Sequence, residues 1–387
     1  MTGKKDIIVF YLFNFFIGFY VANGTTVLFA RQLGLSYSQV FTLSAVYMLM
    51  FILFEIPTGA LADLVGRKKC LILGCFTLAL ATIASGLSTN FLQLFLSFFV
   101  WALGFSLISG ASEALLYDYL GDESAFHNAY GRAQSFFLVG TALAGVLGPY
   151  LYTLDFRYPY LFSAAPFLAA GLAIWFFQER SRPAHKFSLG SHWVQIKTGT
   201  RLAFANKYVL WSMAVLSLCF AVAYSFSNSY QPYLVEIGFE VKYFSLILPV
   251  MFTVEALGGA LSGKINLWLR ENRMFWTLLL GIGVNLFILG IWGVKTSLFF
   301  LFLYTFSQGM LNPLISVYAN RHIDSAHRAT VVSVQSMIGT AAAAGLLFSF
   351  GFLTDRIGVV KLAAFMGVLA VVAALLLMVF KPREKTA

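Results

Sequence analysis

Cysteine and histidine are scarce in this chain, and the sites they build are excluded with them. Cys70, Cys75 and Cys219 are too few and too scattered for a disulfide framework or a thiolate metal centre. The histidines, His127, His185, His192, His322 and His327, fall in polar loops or at helix ends, where an isolated, solvated imidazole is the common state. Charge is scarce as well. Asp, Glu, Lys and Arg make up 11% of the residues, against roughly 25% in soluble domains. No Gly-x-Ser-x-Gly elbow and no Gly-Lys-Ser/Thr phosphate loop occurs, which removes an esterase-like site and an ATP drive within the chain. No enzymatic activity, metal or cofactor is expected. The net charge of +10 does not gather into one basic face, so nucleic acid is not an expected partner.

Hydrocarbon is what the chain has in excess. Hydrophobic residues make up 59% of it, 41 of its residues are Phe, and the mean hydropathy is +0.80. A bilayer core about 30 Å thick takes about 20 apolar residues per helix. Runs of that order lie near 7–30, 38–60, 71–88, 92–117, 131–153 and 159–178. They resume near 208–234, 243–263, 274–294, 298–319, 329–353 and 359–380. Twelve transmembrane helices in an all-α integral membrane protein is the expectation. The first run is too long for a signal h-region and lacks a cleavage box, so it reads as a retained span.

The positive-inside bias supports this count. With the N-terminus cytoplasmic, only Arg31, Arg157, Lys242, Lys295, Arg356 and Lys361 of the 26 Lys and Arg residues fall outside. Losing or adding one helix would scramble that segregation. A multi-pass protein of the cell inner membrane with both termini cytoplasmic is expected. The segment 179–207 is the one long polar stretch and divides the helices six and six. The halves also share traces of each other at a shift of about 200 residues. Glu55/Glu255, Gly59/Gly259, Ala60/Ala260 and Leu61/Leu261 coincide, and one further residue of shift aligns Tyr117/Tyr318, Gln134/Gln335 and Ser135/Ser336. The organisation is therefore an N-terminal six-helix bundle, 1–178, a cytoplasmic linker, 179–207, and a pseudo-symmetric C-terminal bundle, 208–387.

Residues 54–69, FEIPTGALADLVGRKK, place Glu55, Gly59 and Asp63 four apart on one helix face. Gly59 and Gly66 suit close backbone approach and the sharp turn between the second and third spans. Arg67, Lys68 and Lys69 hold that turn on the cytoplasmic side. GALADLVGRKK resembles the helix 2–3 loop signature of the major facilitator superfamily, and the twelve-helix plan extends the likeness over essentially the whole chain. The resemblance implies alternating access by two six-helix bundles around a central cavity. It also implies a gating role for Gly59, Asp63, Gly66 and Arg67. Asp63 and Arg67 would latch to the cytoplasmic end of helix 11 and to an acidic residue ending helix 4, a position that Asp118 fits. Without the resemblance, the turn reads as a capped, solvated loop that fixes topology.

Glu55 and Glu113 lie several residues inside their spans. An ionised carboxylate there costs at least about 2.5 kcal/mol unless it meets a wet cavity or a partner. Both are therefore proton-coupling candidates, with Glu255 as the pseudo-symmetric counterpart of Glu55. The alternative for each is a neutral, hydrogen-bonded structural glutamate, and Glu55 and Glu255 also fit as bundle-interface contacts. Polar stripes mark a candidate cavity lining: Ser106, Ser109, Glu113 and Tyr117 on helix 4, and Tyr304, Gln308, Asn312 and Ser316 on helix 10 beside a bend expected at Pro313. Tyr224, Asn228 and Gln231 share a face of helix 7, and helix 1 carries Asn14, Tyr20 and Asn23. Helices 1, 4, 7 and 10 line the cavity in the resembled family; interhelical hydrogen bonding explains the same residues without a substrate. Gly140, Ala144 and Gly148, followed by Pro149, form a small-residue packing strip similar to the helix 5 signature of drug–proton antiporters. The trailing glycine pair of that signature is missing, and Val100 and Trp101 stand where that group has an arginine. Arg132 is a salt-bridge partner for the Glu113 and Asp118 region or a topology anchor.

These features together point to a monomeric secondary transporter that exports a small amphipathic organic molecule, cationic or zwitterionic, in exchange for protons or another coupling ion. The rival is an importer or facilitator of a nutrient, siderophore or lipid-like metabolite. A third reading is a membrane receptor or scaffold that does not transport.

Overall fold

The structure, a computed structural model, describes residues 2–179, 200–201, 204–269, 271–321 and 328–382. Among them no strand occurs, and eleven helices are long and apolar enough to cross a membrane. The chain runs through α1 (Thr2–Gly18), α2 (Thr26–Gln32), α3 (Tyr37–Val65), α4 (Arg67–Leu87), α5 (Phe91–Leu120), α6 (Glu123–Leu154) and α7 (Tyr158–Trp175). It continues through α8 (Lys207–Ser227), α9 (Tyr230–Glu236), α10 (Phe244–Leu269), α11 (Glu271–Trp292), α12 (Leu298–Arg321), α13 (Arg328–Ile357) and α14 (Val359–Val379). The helix α12, 24 residues long, occupies the expected tenth span. Most of the linker, including His185 and His192, lies outside the described residues.

Two expected spans are interrupted. The run near 7–30 stops at Gly18, passes through a 3-10 turn at Val21–Gly24 and resumes as α2. The run near 208–234 breaks between α8 and α9 at Asn228 and Ser229. Neither break contains proline, and the apolar pattern continues through both. Local polar groups hold the backbone there instead: Thr25 donates to Ala22 O at 3.2 Å, and the Asn228 amide donates to Tyr224 O at 2.9 Å.

Elsewhere the ends follow local chemistry. Asn90 and Asp122 cap α5 and α6 by accepting from Gln93 N–H and Ala125 N–H at 3.1 and 2.7 Å. Gly121, at φ +66, ends α5 in the left-handed region that favours glycine.

The chain divides into two compact units. The first comprises residues 1–35, 46–187 and 240–249, and the second comprises 36–45, 188–239 and 250–387. In the first, α4 packs along α5 and α7, and α1 packs along α6. Phe10, Phe13, Leu71, Leu78, Leu116 and Phe167 fill its core. In the second, α11 packs along α14 and α12, and α8 along α13. One detail repeats in both units. Thr58 on α3 reaches Ser106 O on α5 at 3.1 Å, and Ser262 on α10 donates to Met310 O on α12 at 2.9 Å. Both bonds join residues 48 apart, and equal steps along the chain relate Thr58 to Ser262 and Ser106 to Met310. An interhelical bond at matching places is what a duplicated packing plan produces.

Candidate functional site

The turn between α3 and α4 is built on Gly66, whose φ of +99 strains any residue with a side chain. It directs Arg67 at the end of α5, where the guanidinium forms an ion pair with Asp118 and donates to Ala114 O at 2.6 Å. Both partners are largely shielded, with side-chain exposures of 24% and 14%. The expected pairing of Arg67 with the acidic end of helix 4 is therefore present. The start of α4 has a second anchor that sequence reasoning missed: Glu179 accepts from Arg67 N–H at 2.8 Å. Next to it, buried Asp6 accepts from Tyr119 Oη at 2.8 Å and from Gln178 N–H at 3.0 Å. Four chain segments thus meet in one polar cluster: the start of α1, the start of α4, the end of α5 and the residues after α7. Asp63 and Gly59 are exposed. A Cβ at Gly59 would meet nothing within 4 Å, so the close backbone approach expected there is not found among the described residues.

Glu113 is exposed on α5, and Tyr130 of α6 donates to its Oε1 at 2.7 Å. Its hydrogen-bond partner among the described residues is thus a phenol from the next helix. Arg132 is exposed on that helix. Glu55 is exposed on α3, and Glu255 is half-buried on α10. Gly309 of α12 comes so close to α10 that a Cβ there would lie 2.0 Å from Glu255 O.

The polar stripes divide into buried groups and exposed ones. On α5, Ser106 is buried and donates to Leu103 O at 2.9 Å, whereas the buried Ser109 hydroxyl has no hydrogen-bond partner among the described residues. On α12, Gln308 donates to Tyr304 Oη at 3.0 Å, and both are buried. Asn228 accepts from Ser44 at 2.6 Å, Gln231 donates to Tyr230 Oη at 3.3 Å, and Tyr224 is exposed. Asn14 is buried and donates to Phe10 O at 2.9 Å; Asn23 is exposed in the 3-10 turn. Tyr20 enters an aromatic cluster, 4.7 Å from Trp101 and 6.0 Å from Phe167 between ring centroids. Asn312, Pro313 and Ser316 lie on α12, but their side chains are outside the described residues. His127 is exposed and sits 3.8 Å from Glu123.

The sequence profile of the Major Facilitator Superfamily matches residues 8–345. The chain belongs to the major facilitator superfamily. It is 25% identical over 326 residues to YxaM of Bacillus subtilis, an uncharacterised transporter of the same type, covering 78% of this chain and 77% of that one. Among solved structures it resembles a variant of the nucleoside transporter NupG, with a TM-score of 0.81, 12% identity, and coverage of 97% of this chain and 100% of that one. It also resembles a D-xylose–proton symporter, with a TM-score of 0.76, 16% identity, and coverage of 100% and 99%. At such identities these likenesses are of fold. The chain is a multi-pass membrane protein of a transporter family.

Proposed function

We propose that this superfamily member is a secondary transporter working by alternating access, and that it exports a small amphipathic cation or zwitterion in exchange for protons across the cell inner membrane. The observation that carries this reading is Glu113: a carboxylate within a spanning helix, exposed, and hydrogen-bonded by the neutral hydroxyl of Tyr130. A carboxylate so placed can release and take up a proton without dismantling an ion pair. Asp63, Arg67 and Asp118 gate the cytoplasmic side, and Glu55 and Glu255 are the further titratable groups on α3 and α10. Tyr20, Asn23 and Tyr224 offer polar contacts to the substrate, and the Phe-rich helices suit its apolar mass. Both termini are assigned to the cytoplasm because that choice leaves only six cations outside.

The test is proton movement in sealed proteoliposomes on adding a panel of organic cations and zwitterions, wild type against Glu113→Gln. A solute-triggered pH change that vanishes in the variant is the expected result. Solute flux without a pH change, unaltered in the variant, would refute proton coupling through Glu113. The architecture serves uptake equally, and the xylose–proton symporter shares it. Flux measured in both vesicle orientations separates export from import, and loss of flux in folded Asp63→Asn separates either from a scaffold.

A further inference from the structure

Helix α5 presents two unlike faces. Leu107, Ile108, Ala111 and Leu115 lie in the core of the first unit. Gly110, Glu113 and Tyr117, spaced to share the opposite face, are exposed. The early turns of α6 bring Phe126 and Tyr130 to the same place. Their rings stack with centroids 5.5 Å apart, and Tyr117 stands edge-on to Phe126 at 5.4 Å. The Tyr130 hydroxyl donates to Glu113 Oε1 at 2.7 Å. One carboxylate and three aromatic rings, drawn from two helices of one unit, thus form a single corner beside the α5–α6 turn.

The charge in that corner is unmatched. Among the described residues Glu113 is in no ion pair, and Arg67, which reaches the same stretch of α5, is taken by Asp118 and Ala114 O. There is also room beside the carboxylate. A Cβ at Gly110, less than one turn from Glu113, would meet nothing within 4 Å. Glycine is disfavoured relative to alanine inside a helix, and no close packing among the described residues explains it here. The chemistry of the corner selects the ligand. A Mg²⁺ or Ca²⁺ ion takes about six or more oxygens, and one carboxylate with one phenol falls short. A primary ammonium carries three N–H donors that need acceptors. A methylated ammonium has none to satisfy, and its methyl groups gain from aromatic faces while its charge gains from the carboxylate.

We propose that Glu113, Tyr117, Phe126 and Tyr130, with the space kept open at Gly110, bind a methylated ammonium group of a small organic molecule. The site lies wholly within the first unit. The proposal rests on the export reading in taking Glu113 to face substrate, and it narrows that substrate to a quaternary amine. Its readout needs neither flux nor proton movement.

The experiment is calorimetric titration of the purified full-length protein in detergent with benzyltrimethylammonium and with benzylammonium, which share a ring and a charge and differ in N-methylation. Benzyltrimethylammonium is expected to bind about five-fold more tightly. Tyr117→Leu and Phe126→Leu should each erase that preference, Tyr117→Phe should keep it, and Glu113→Gln should weaken both ligands. Gly110→Leu fills the open space and should weaken the methylated ligand more; it serves, with the wild-type ratio, if a ring variant fails to fold. Equal affinities, tighter binding of benzylammonium, no binding of either, or a preference that survives both folded leucine variants would overturn the site. Binding with the expected preference but without a solute-triggered pH change in proteoliposomes would support the site and sink proton exchange. A pH change triggered by other solutes, with no preference between the two amines, would overturn the site and leave proton exchange standing.

Discussion

Replacing Gly140 by Ala gives the sharpest test of how the first unit is packed. A Cβ at Gly140 would lie 2.2 Å from Phe15 O, one at Gly148 2.0 Å from Val21 O, and one at Gly18 2.1 Å from Phe137 O. Carbon sits about 3.3 Å or more from a carbonyl oxygen in favourable contacts. Gly140→Ala must therefore push α1 off α6 by roughly 1 Å, a gap that forfeits about a quarter to a half of each dispersion contact it widens. It also stretches the bond from Thr141 Oγ1 to Gly18 O, now 3.2 Å. Overpacking of this kind costs about 1–3 kcal/mol. The same displacement makes room at Gly148, so Gly140→Ala with Gly148→Ala should cost clearly less than the two singles added. Gly59→Ala is the control: its Cβ enters open space, and alanine in a helix is favoured over glycine by up to about 1 kcal/mol. The assay is the unfolding midpoint of the purified protein in one detergent. An unchanged midpoint for Gly140→Ala, or strict additivity with Gly148→Ala, would refute the reasoning.

Three further outcomes are expected. Asp118→Asn leaves a shielded guanidinium with Ala114 O and a neutral amide, and should cost about 1–2 kcal/mol after allowance for partial exposure; flux should fall with the midpoint, and an unaffected midpoint would sink the account. Asp6→Ala removes the acceptor of both the Tyr119 hydroxyl and Gln178 N–H, so a loss of about 1–3 kcal/mol is expected in the same unfolding assay, and a neutral result would mean that Tyr119 and Gln178 are satisfied elsewhere. Thr58→Val and Ser262→Ala each remove one interhelical bond, commonly about 0.6 kcal/mol. Their effects on the midpoint should be similar and additive, and coupling between them would contradict separate units.

Much of the site was legible because it depends on local pattern. Gly66 with three cations after it specifies a turn, and Asp118 lies at the end of a recognisable apolar run, but their pairing was implied by the resemblance to the superfamily's loop signature and not by either stretch alone. The strip of Gly140, Ala144 and Gly148 announced a close helix crossing, although its partner, α1, could not be read from it. Tyr130 was missed as the partner of Glu113 because a tyrosine in an aromatic-rich helix carries no signal of its own. Two arginines left outside by the topology have local work: Arg157 caps α4 by donating to Gly86 O and Ser88 O at 2.6 and 3.0 Å, and Arg31 donates to Leu35 O.

Hydropathy summed over about 20 residues is a property of each stretch alone, so spans and membrane class were determined by the sequence itself, and the GALADLVGRKK stretch carried the likeness to the superfamily. The breaks at Tyr20–Thr25 and Asn228–Ser229, the cluster around Asp6, and the division of α3 between the two units were decided only in three dimensions. In hydrocarbon every polar group needs a partner. Which one it finds depends on which helices the fold brings alongside, and no single stretch of sequence contains that.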